Sequence, residues 1–562
     1  MQIQNVTQSL TNCENEIKNL RLKLKNEIMI DTQTRINKEI KQIQKDDFRS
    51  LKYYKKIKQQ VRKRSPIEAN FVIDENKQKI TNKTPVERIK GAAVIERYFD
   101  TLYNELNDFD EYIDWTNLVE LSNQQKRNLF QTENNIQFNM YDLKKIIRSL
   151  KNNKATGIDG ITNEILKMLD DQNLETFLEI LNRLYKHNLV PEAWNIGVVT
   201  MLYKGKGSKG DPANYRGITV NSNIVKIVEK LMYSKYYKQI DLTELQGGSK
   251  KGSSTRDHIF ILLTLMKKYK RNGLHIVFLD ISKAFDKAWR EGIMYILDKR
   301  GCNKKDWVYM DLLNVKNKVK IKTTFGETNE IKTNKIIKQG AVSSPIQFGL
   351  LIDEIGKELI QMKKGVILDS SNIPCLLWVD DIVTQNQKFD EIQEMLDKIY
   401  EMSKKYKLKF GDDKCKHMIL SDDLEPTRFL YLGDIKLKKV ESYKYLGIMM
   451  NKTCNLADHL KYLNGKMTSA VSKISNVTSE YILRNLRVET IKLMIENTMN
   501  PILGYGLEPY KIGIGEMENL QNKQGKAIKD IFGLNRFVPN LAMPTTRSQF
   551  GSTTNSWTSN FS

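Results

Sequence analysis

The apolar positions change their period along the chain. Ile17, Leu20 and Leu24, then Ile36, Ile40 and Ile43, recur at helical spacing in an otherwise polar and basic stretch, which predicts solvated amphipathic helix within residues 1–66. "YYKKIKQQVRKR" (Tyr53 to Arg64) holds six cations and two aromatics in twelve residues, a composition suited equally to phosphate contact with stacking and to a plain charged helix face. Ser65 and Pro66 end it. In "MYDLKKIIRSLKNNK", Leu143, Ile146, Ile147 and Leu150 fall at i, i+3, i+4 and i+7, a helix with one buried stripe. "ATGIDG" follows as a turn built from Gly157, Asp159 and Gly160. Over residues 272–440 short β-rich runs ("LHIVFLDIS", "PCLLWVDD", "KHMIL") alternate with helical segments such as Phe389 to Tyr406, which predicts an α+β sheet domain. Beyond about 450 the pattern is helical to about 535, and "RSQFGSTTNSWTSNFS" reads as a disordered tail.

Composition narrows the partners. With 562 residues, 40% of them hydrophobic, the chain can bury a sizeable core. Lys and Arg total 90 against 67 acids, a net charge of +23, and so large an excess repels itself unless a polyanion shares the surface. Nucleic acid is the leading partner, ahead of an anionic membrane surface. No apolar run of about 18 residues and no leader-like start is present, so a soluble intracellular protein without a membrane partner is expected. The five cysteines form no CxxC pair; Cys415, His417, Cys454 and His459 have spacings that fit no common zinc site, and ordinary thiols are the better reading.

The chemistry lies in three acids. "CLLWVDDIVTQ" ends an apolar strand in Asp380 and Asp381, and "GLHIVFLDISKAFDKAW" ends another, apolar on both faces, in Asp280. A buried carboxylate needs a counter-charge. If the two strands are neighbours, Asp280 comes beside Asp380, and crowded carboxylates with oxygen-only ligation select Mg²⁺, or Mn²⁺, over zinc. Each acid alone is better explained by a turn, a cap or a salt bridge.

Seven segments in order decide between these readings: "NNKATGIDGITNEILK", "VVTMLYKGKGSKGDPANYRGITVNSNIVKIVEK", "QGGSKKGSSTRDHIF", "FLDISKAFDKAW", "IIKQGAVSSPIQFGLLIDEI", "LWVDDIV" and "YKYLGI". Together they closely resemble the reverse transcriptases of non-LTR (LINE-type) retrotransposons, from about residue 70 to about 540. The resemblance implies a right-hand polymerase with a basic helical N-terminal extension (1–66), a helical connector leading into the fingers (67–150), fingers and palm (151–440), primer grip and helical thumb (441–540) and a tail (541–562). It implies RNA-directed DNA polymerase activity, extending a primer 3′-end with deoxynucleotides on an RNA template with two Mg²⁺ ions. Partners would be template RNA, primer or target DNA, and dNTPs.

Residue by residue, the resemblance makes Asp280 and Asp380 the metal-bridging acids and Asp381 a less direct ligand. Phe285 matches the aromatic that packs on the sugar and excludes a 2′-hydroxyl; otherwise it is a core Phe. Lys204, with Lys206 as the alternative, and Arg216 match the triphosphate-holding cations. Gln339 and Gly340 match the motif beneath nucleotide and template. Lys414 resembles the lysine that protonates departing pyrophosphate. Tyr445, Leu446 and Gly447 resemble the primer-gripping hairpin, with a buried turn as the plain reading. Val379 replaces the usual Ala, Lys338 the usual Pro, and "YRG" the usual "YRP", departures that bear on fingers geometry rather than on the acids. Neither an upstream nor a downstream endonuclease fits, so cleavage is expected from elsewhere, with synthesis in the cytoplasm and action on nuclear DNA. The rival readings are a group II intron-type maturase and a domesticated copy that only binds nucleic acid.

Overall fold

The computed structural model describes residues 71–104, 112–129, 137–236, 241–248, 250, 252–315, 317–333, 340–420, 428–479 and, with breaks at 500, 508–509 and 511, 497–532. The expected basic extension (1–66), the tail (541–562) and Gln339 lie outside the described residues. The chain divides into two compact units, one spanning Pro66–Asn455 and a second that includes everything from Leu456 on. In its described residues the second is helical, with long helices at Ala457–Ser479 and Ile514–Phe532. Helix and sheet are mixed in the first, an α+β architecture.

Elements that position the site begin with α1 (Pro85–Asn104), β1 (Ile196–Tyr203), β2 (Tyr215–Val220), α2 (Thr255–Tyr269), β3 (His275–Asp280), β4 (Lys318–Thr323) and α3 (Ser344–Gln361). After them come β5 (Cys375–Trp378), β6 (Asp381–Asn386), α4 (Phe389–Lys405), β7 (Lys416–Ile419), β8 (Lys438–Lys439), β9 (Ser442–Tyr445) and β10 (Ile448–Asn451). One five-stranded sheet has the order β5-β6-β3-β7-β8. Its pairs are antiparallel except β7 with β8. Central β3 buries His275 through Leu279 without alternation, as a strand covered on both faces must. Leu350, Ile352 and Ile355 of α3 and Ile392, Met395 and Ile399 of α4 share its core. On β3, Phe278 stacks on Tyr443 of β9, ring centroids 4.2 Å apart at 18°. Removing a buried ring of this kind costs about 3–5 kcal/mol.

The other large sheet runs β2-β1-β4 and continues into two short strands. Ile95, Phe99, Leu102 and Tyr103 of α1 form a second core with Val199, Met201, Tyr215, Val319 and Ile321. The expected helical connector over 67–150 also holds strands. That region opens with an antiparallel ladder of Phe71–Ile73 with Lys79–Thr81, and α1 is a core member of the sheet layer rather than a link. Three-residue strands carry too little alternation to register as a period. The other difference is a boundary. The expected boundary at 440/441 places the β9–β10 hairpin with the helical C-terminal part, whereas the hairpin lies in the unit ending at Asn455, where Tyr443 is fastened to β3 by its ring and Tyr445 is buried.

The predicted stripe on Met140–Ser149 forms, with Leu143 and Ile147 buried and Asn139 accepting from the Asp142 N–H at the N-cap, 2.8 Å. Gly157 of the "ATGIDG" turn is pressed on Ser222: a Cβ there would stand 2.5 Å from the Ser222 N. No helix among the described residues is long and apolar enough to cross a membrane.

Candidate active site

Asp280 closes β3 and pairs across the ladder with Asp381, the first residue of β6. Antiparallel partners carry their side chains on one face, Cβ atoms about 5 Å apart. Asp380 sits in the two-residue turn, Val379–Asp380, that joins β5 to β6 through the Trp378–Asp381 pair. Asp280 and the adjacent pair Asp380 and Asp381, a hundred residues further along the chain, thus meet at one end of the sheet. Burial pushes the pKa of Asp380 up, and the Asp280 charge adds to the shift. Burial and the charges of Asp380 and Asp280 push Asp381 up to about 7. This is the signature of an acid cluster that lacks enough counter-charge. The nearest cation is Lys414, whose Nζ donates to Asp280 Oδ1 at 2.6 Å from a largely exposed side chain.

No three His, Cys, Asp or Glu side chains among the described residues are gathered so as to enclose an ion by themselves. The donor set nonetheless suits Mg²⁺. That ion is typically held by one or two carboxylates with substrate phosphates and water completing an octahedron, not by an all-protein cage, and the mutual repulsion of these acids is what a hard divalent cation relieves.

Lys204 follows β1, and its Nζ donates to the Ala213 carbonyl at 2.8 Å. Arg216 lies on β2 opposite Leu202 and is exposed. Sequence reasoning missed two charges that join them. Asp286 is pushed up to about 6 by burial, against the pull of Lys204, Lys283 and Arg216. Lys204 is pushed down by burial, with Asp286 opposing and Lys283, Arg216 and Lys414 reinforcing. The pattern "SKAFDK" contains the signal: Lys283 and Asp286 share the tight turn after β3, in which Lys283 is left-handed, φ +51.

Phe285 is half-buried and packs against the core, its ring centroid 5.3 Å from that of Phe348 on α3. Gly340 has φ +113, and a Cβ on it would lie 2.6 Å from the Thr219 carbonyl oxygen on β2. Only glycine fits there. Beside Gly340, a cleft of about 400 Å³ is lined by Lys151, Lys154, Lys226 and Lys230 over Leu150 and Ile218. Tyr445, Leu446 and Gly447 form the end of the β9–β10 hairpin. Leu446 (φ +43) and Gly447 (φ +89) are both left-handed, as a type I′ two-residue hairpin turn requires. Tyr445 is buried while Leu446 and Gly447 are half-exposed at the tip. Tyr443 O–H donates to the Lys414 carbonyl at 3.2 Å, tying the hairpin to the segment that faces Asp280.

Residues 205–450 match the family model described as "Reverse transcriptase (RNA-dependent DNA polymerase)". The chain is 22% identical over 407 residues to the RNA-directed DNA polymerase from mobile element jockey of Drosophila melanogaster, covering 70% of this chain and 43% of that protein. It is 20% identical over 426 residues to the probable RNA-directed DNA polymerase from transposon X-element of the same fly (72% and 45%). To the retrovirus-related Pol polyprotein from type-1 retrotransposable element R2 of Nasonia vitripennis it is 23% identical over 389 residues (66% and 35%). The chain thus spans less than half the length of these relatives.

Proposed function

We propose, for a chain whose residues 205–450 are a reverse transcriptase domain similar to those of non-LTR retrotransposons, that it extends a primer 3′-end with deoxynucleotides on an RNA template. The observation that carries this reading is the pairing of Asp280 with Asp381 beside the Asp380 turn. In polymerase terms the β5-β6-β3-β7-β8 sheet is the palm, the β2-β1-β4 sheet belongs to the fingers, and the helices after Leu456 are the thumb.

Divalent cations, when bound by the acids, supply the charge that activates a 3′-hydroxyl and stabilises departing pyrophosphate. Everything else is positioning by the chain's own groups, since phosphoryl transfer asks little covalent chemistry of protein. Asp280 and Asp380 present the ligating oxygens, and Asp381 completes the field. Lys204 and Arg216 hold the triphosphate, a point charge and a planar fork, and Lys283 adds a third cation on the same side. With no anionic substrate, Asp286 balances those cations. Phe285 offers the sugar a flat apolar surface with no partner for a 2′-hydroxyl. Lys414, bonded to Asp280 from a largely exposed side chain, is long and exposed enough to donate a proton to the leaving group. The lysine-lined cleft beside Gly340 suits the phosphates of a template strand, and the tip at Leu446 and Gly447 suits the primer end.

The test is extension of a DNA primer annealed to RNA, with dNTPs and Mg²⁺, by the intact chain and by Asp380→Ala. Extension by the first and none by the second supports the reading. A chain that binds the hybrid without extending it is a binding protein.

A further inference from the structure

The turn that carries Asp380 is strained. Val379 lies at φ +58, where a β-branched side chain is an outlier; the first position of such a two-residue turn ordinarily goes to glycine. Strain of this kind persists only when the surroundings enforce it. The turn also leaves the Val379 N–H outside the ladder, and a buried N–H must find an acceptor.

Both needs are met by one side chain. Gln246 is fully buried, 0% exposed. Its Oε1 accepts from the Val379 N–H at 3.1 Å and the Gly248 N–H at 2.9 Å. Its Nε2 donates to the Gly349 carbonyl of α3 at 3.4 Å. The backbone of the same segment lies along the free edge of β5, with the Leu377 N–H donating to Leu245 O at 2.9 Å and the Gly247 N–H to Leu377 O at 3.0 Å. The glycines after Gln246 are what let it come so close. A Cβ on Gly248 would stand 2.5 Å from Val379 N and Cγ2, and one on Gly247 would stand 3.0 Å from the Trp378 ring. The segment is anchored upstream too: the Thr243 N–H donates to Asp353 at 3.1 Å, and the fully buried Asp353 pairs with Arg300 at 2.9 Å.

We propose that Gln246 is a positioning residue that holds the Val379–Asp380 turn in its left-handed form through the bond to the Val379 N–H, and so fixes where the Asp380 carboxylate points. This gives "QGG" a role: one residue reaches the turn, and two without side chains admit it. The inference rests on the polymerase reading for its effect on rate, but not for its effect on the turn.

The experiment is a double-mutant cycle. Gln246→Met keeps the shape of the side chain and removes the acceptor. Val379→Gly relaxes the turn, because glycine is at ease at this φ. With Val at 379, Gln246→Met should lower the single-turnover extension rate about 100-fold, the scale of an ångström of misplacement at a reacting centre, while primer–template affinity stays within about 3-fold. In the Val379→Gly background the same change should cost less than about 10-fold. Hydrogen exchange of the peptide 376–384, read by mass spectrometry without metal or substrate, should accelerate on Gln246→Met only when Val is at 379.

Equal losses of rate in both backgrounds, or unchanged exchange, overturn the proposal. If Gln246→Met does not fold, Gln246→Asn, too short to reach Val379, takes its place with the same expected inequality; failure of both to fold in both backgrounds also overturns it, since Gln246 then serves the fold and not the turn. A wild-type chain that extends no primer refutes the polymerase reading instead, and leaves the exchange result to judge Gln246 alone.

Discussion

Replacing Asp381 by Asn removes a charge that burial and two neighbouring carboxylates disfavour. A carboxyl that titrates near 3.8 in an open chain and at about 7 in this site keeps its proton in the folded protein where the unfolded chain has lost it. Between about pH 4 and pH 7 the folded state therefore binds more protons, and stability falls as pH rises through that window, with the whole penalty present above it. The full difference corresponds to about 4 kcal/mol. The charge is shared among three coupled acids and partly offset by Lys414, so about 2 kcal/mol is the working figure. In chelator-treated protein, Asp381→Asn should match the parent in thermal midpoint near pH 4 and exceed it by a few degrees at pH 8. Millimolar Mg²⁺ should narrow the gap at pH 8 by stabilising the parent, because an ion that binds only the folded state adds to its stability. Parallel pH profiles for variant and parent would refute the claim that these acids are short of counter-charge.

Phe285→Ala should raise ribonucleotide use relative to deoxynucleotide use by about 10–100-fold in kcat/KM; an unchanged ratio on a folded variant would return Phe285 to the core. Arg216→Ala should raise the KM for dNTP by about 10-fold or more with little effect on hybrid binding, since a charge-assisted bond to phosphate contributes about 1.5–3 kcal/mol. Binding of an RNA·DNA hybrid should weaken by roughly 10³-fold or more between 50 and 200 mM salt if six or more phosphates are neutralised. A flat salt profile in a filter-binding assay would remove the phosphate-gripping role of the lysine-lined cleft.

Much of the sheet was legible in the sequence because its cues are local. Leu274 to Leu279, apolar but for His275 and without alternation, forms a central strand as its pattern requires, and an acid at the end of such a strand marks the end of the sheet where charge collects. Their meeting was not local: register decides that Asp280 faces Asp381, and no periodicity encodes register between strands a hundred residues apart. Gln246 was invisible because a polar residue followed by two glycines reads as loop; its burial comes from β5 and α3, which lie far along the chain. Val379 likewise reads as an ordinary apolar residue, and its left-handed φ follows from a two-residue connection between paired strands. The ladder at Phe71–Thr81 is too short to show a period, and the attachment of the hairpin at Ser442–Asn451 to β3 was not legible because ring stacking onto Phe278 leaves no trace in sequence spacing.

The most direct measurement of the central claim is single-nucleotide extension, by rapid quench, of a DNA primer on an RNA template by the parent chain and by Asp280→Asn. Loss of rate by about 10³-fold or more, with hybrid affinity and thermal midpoint preserved, is the predicted result. A variant that extends within about 10-fold of the parent would show that the acids gathered at the ends of β3 and β6 do not carry the reaction.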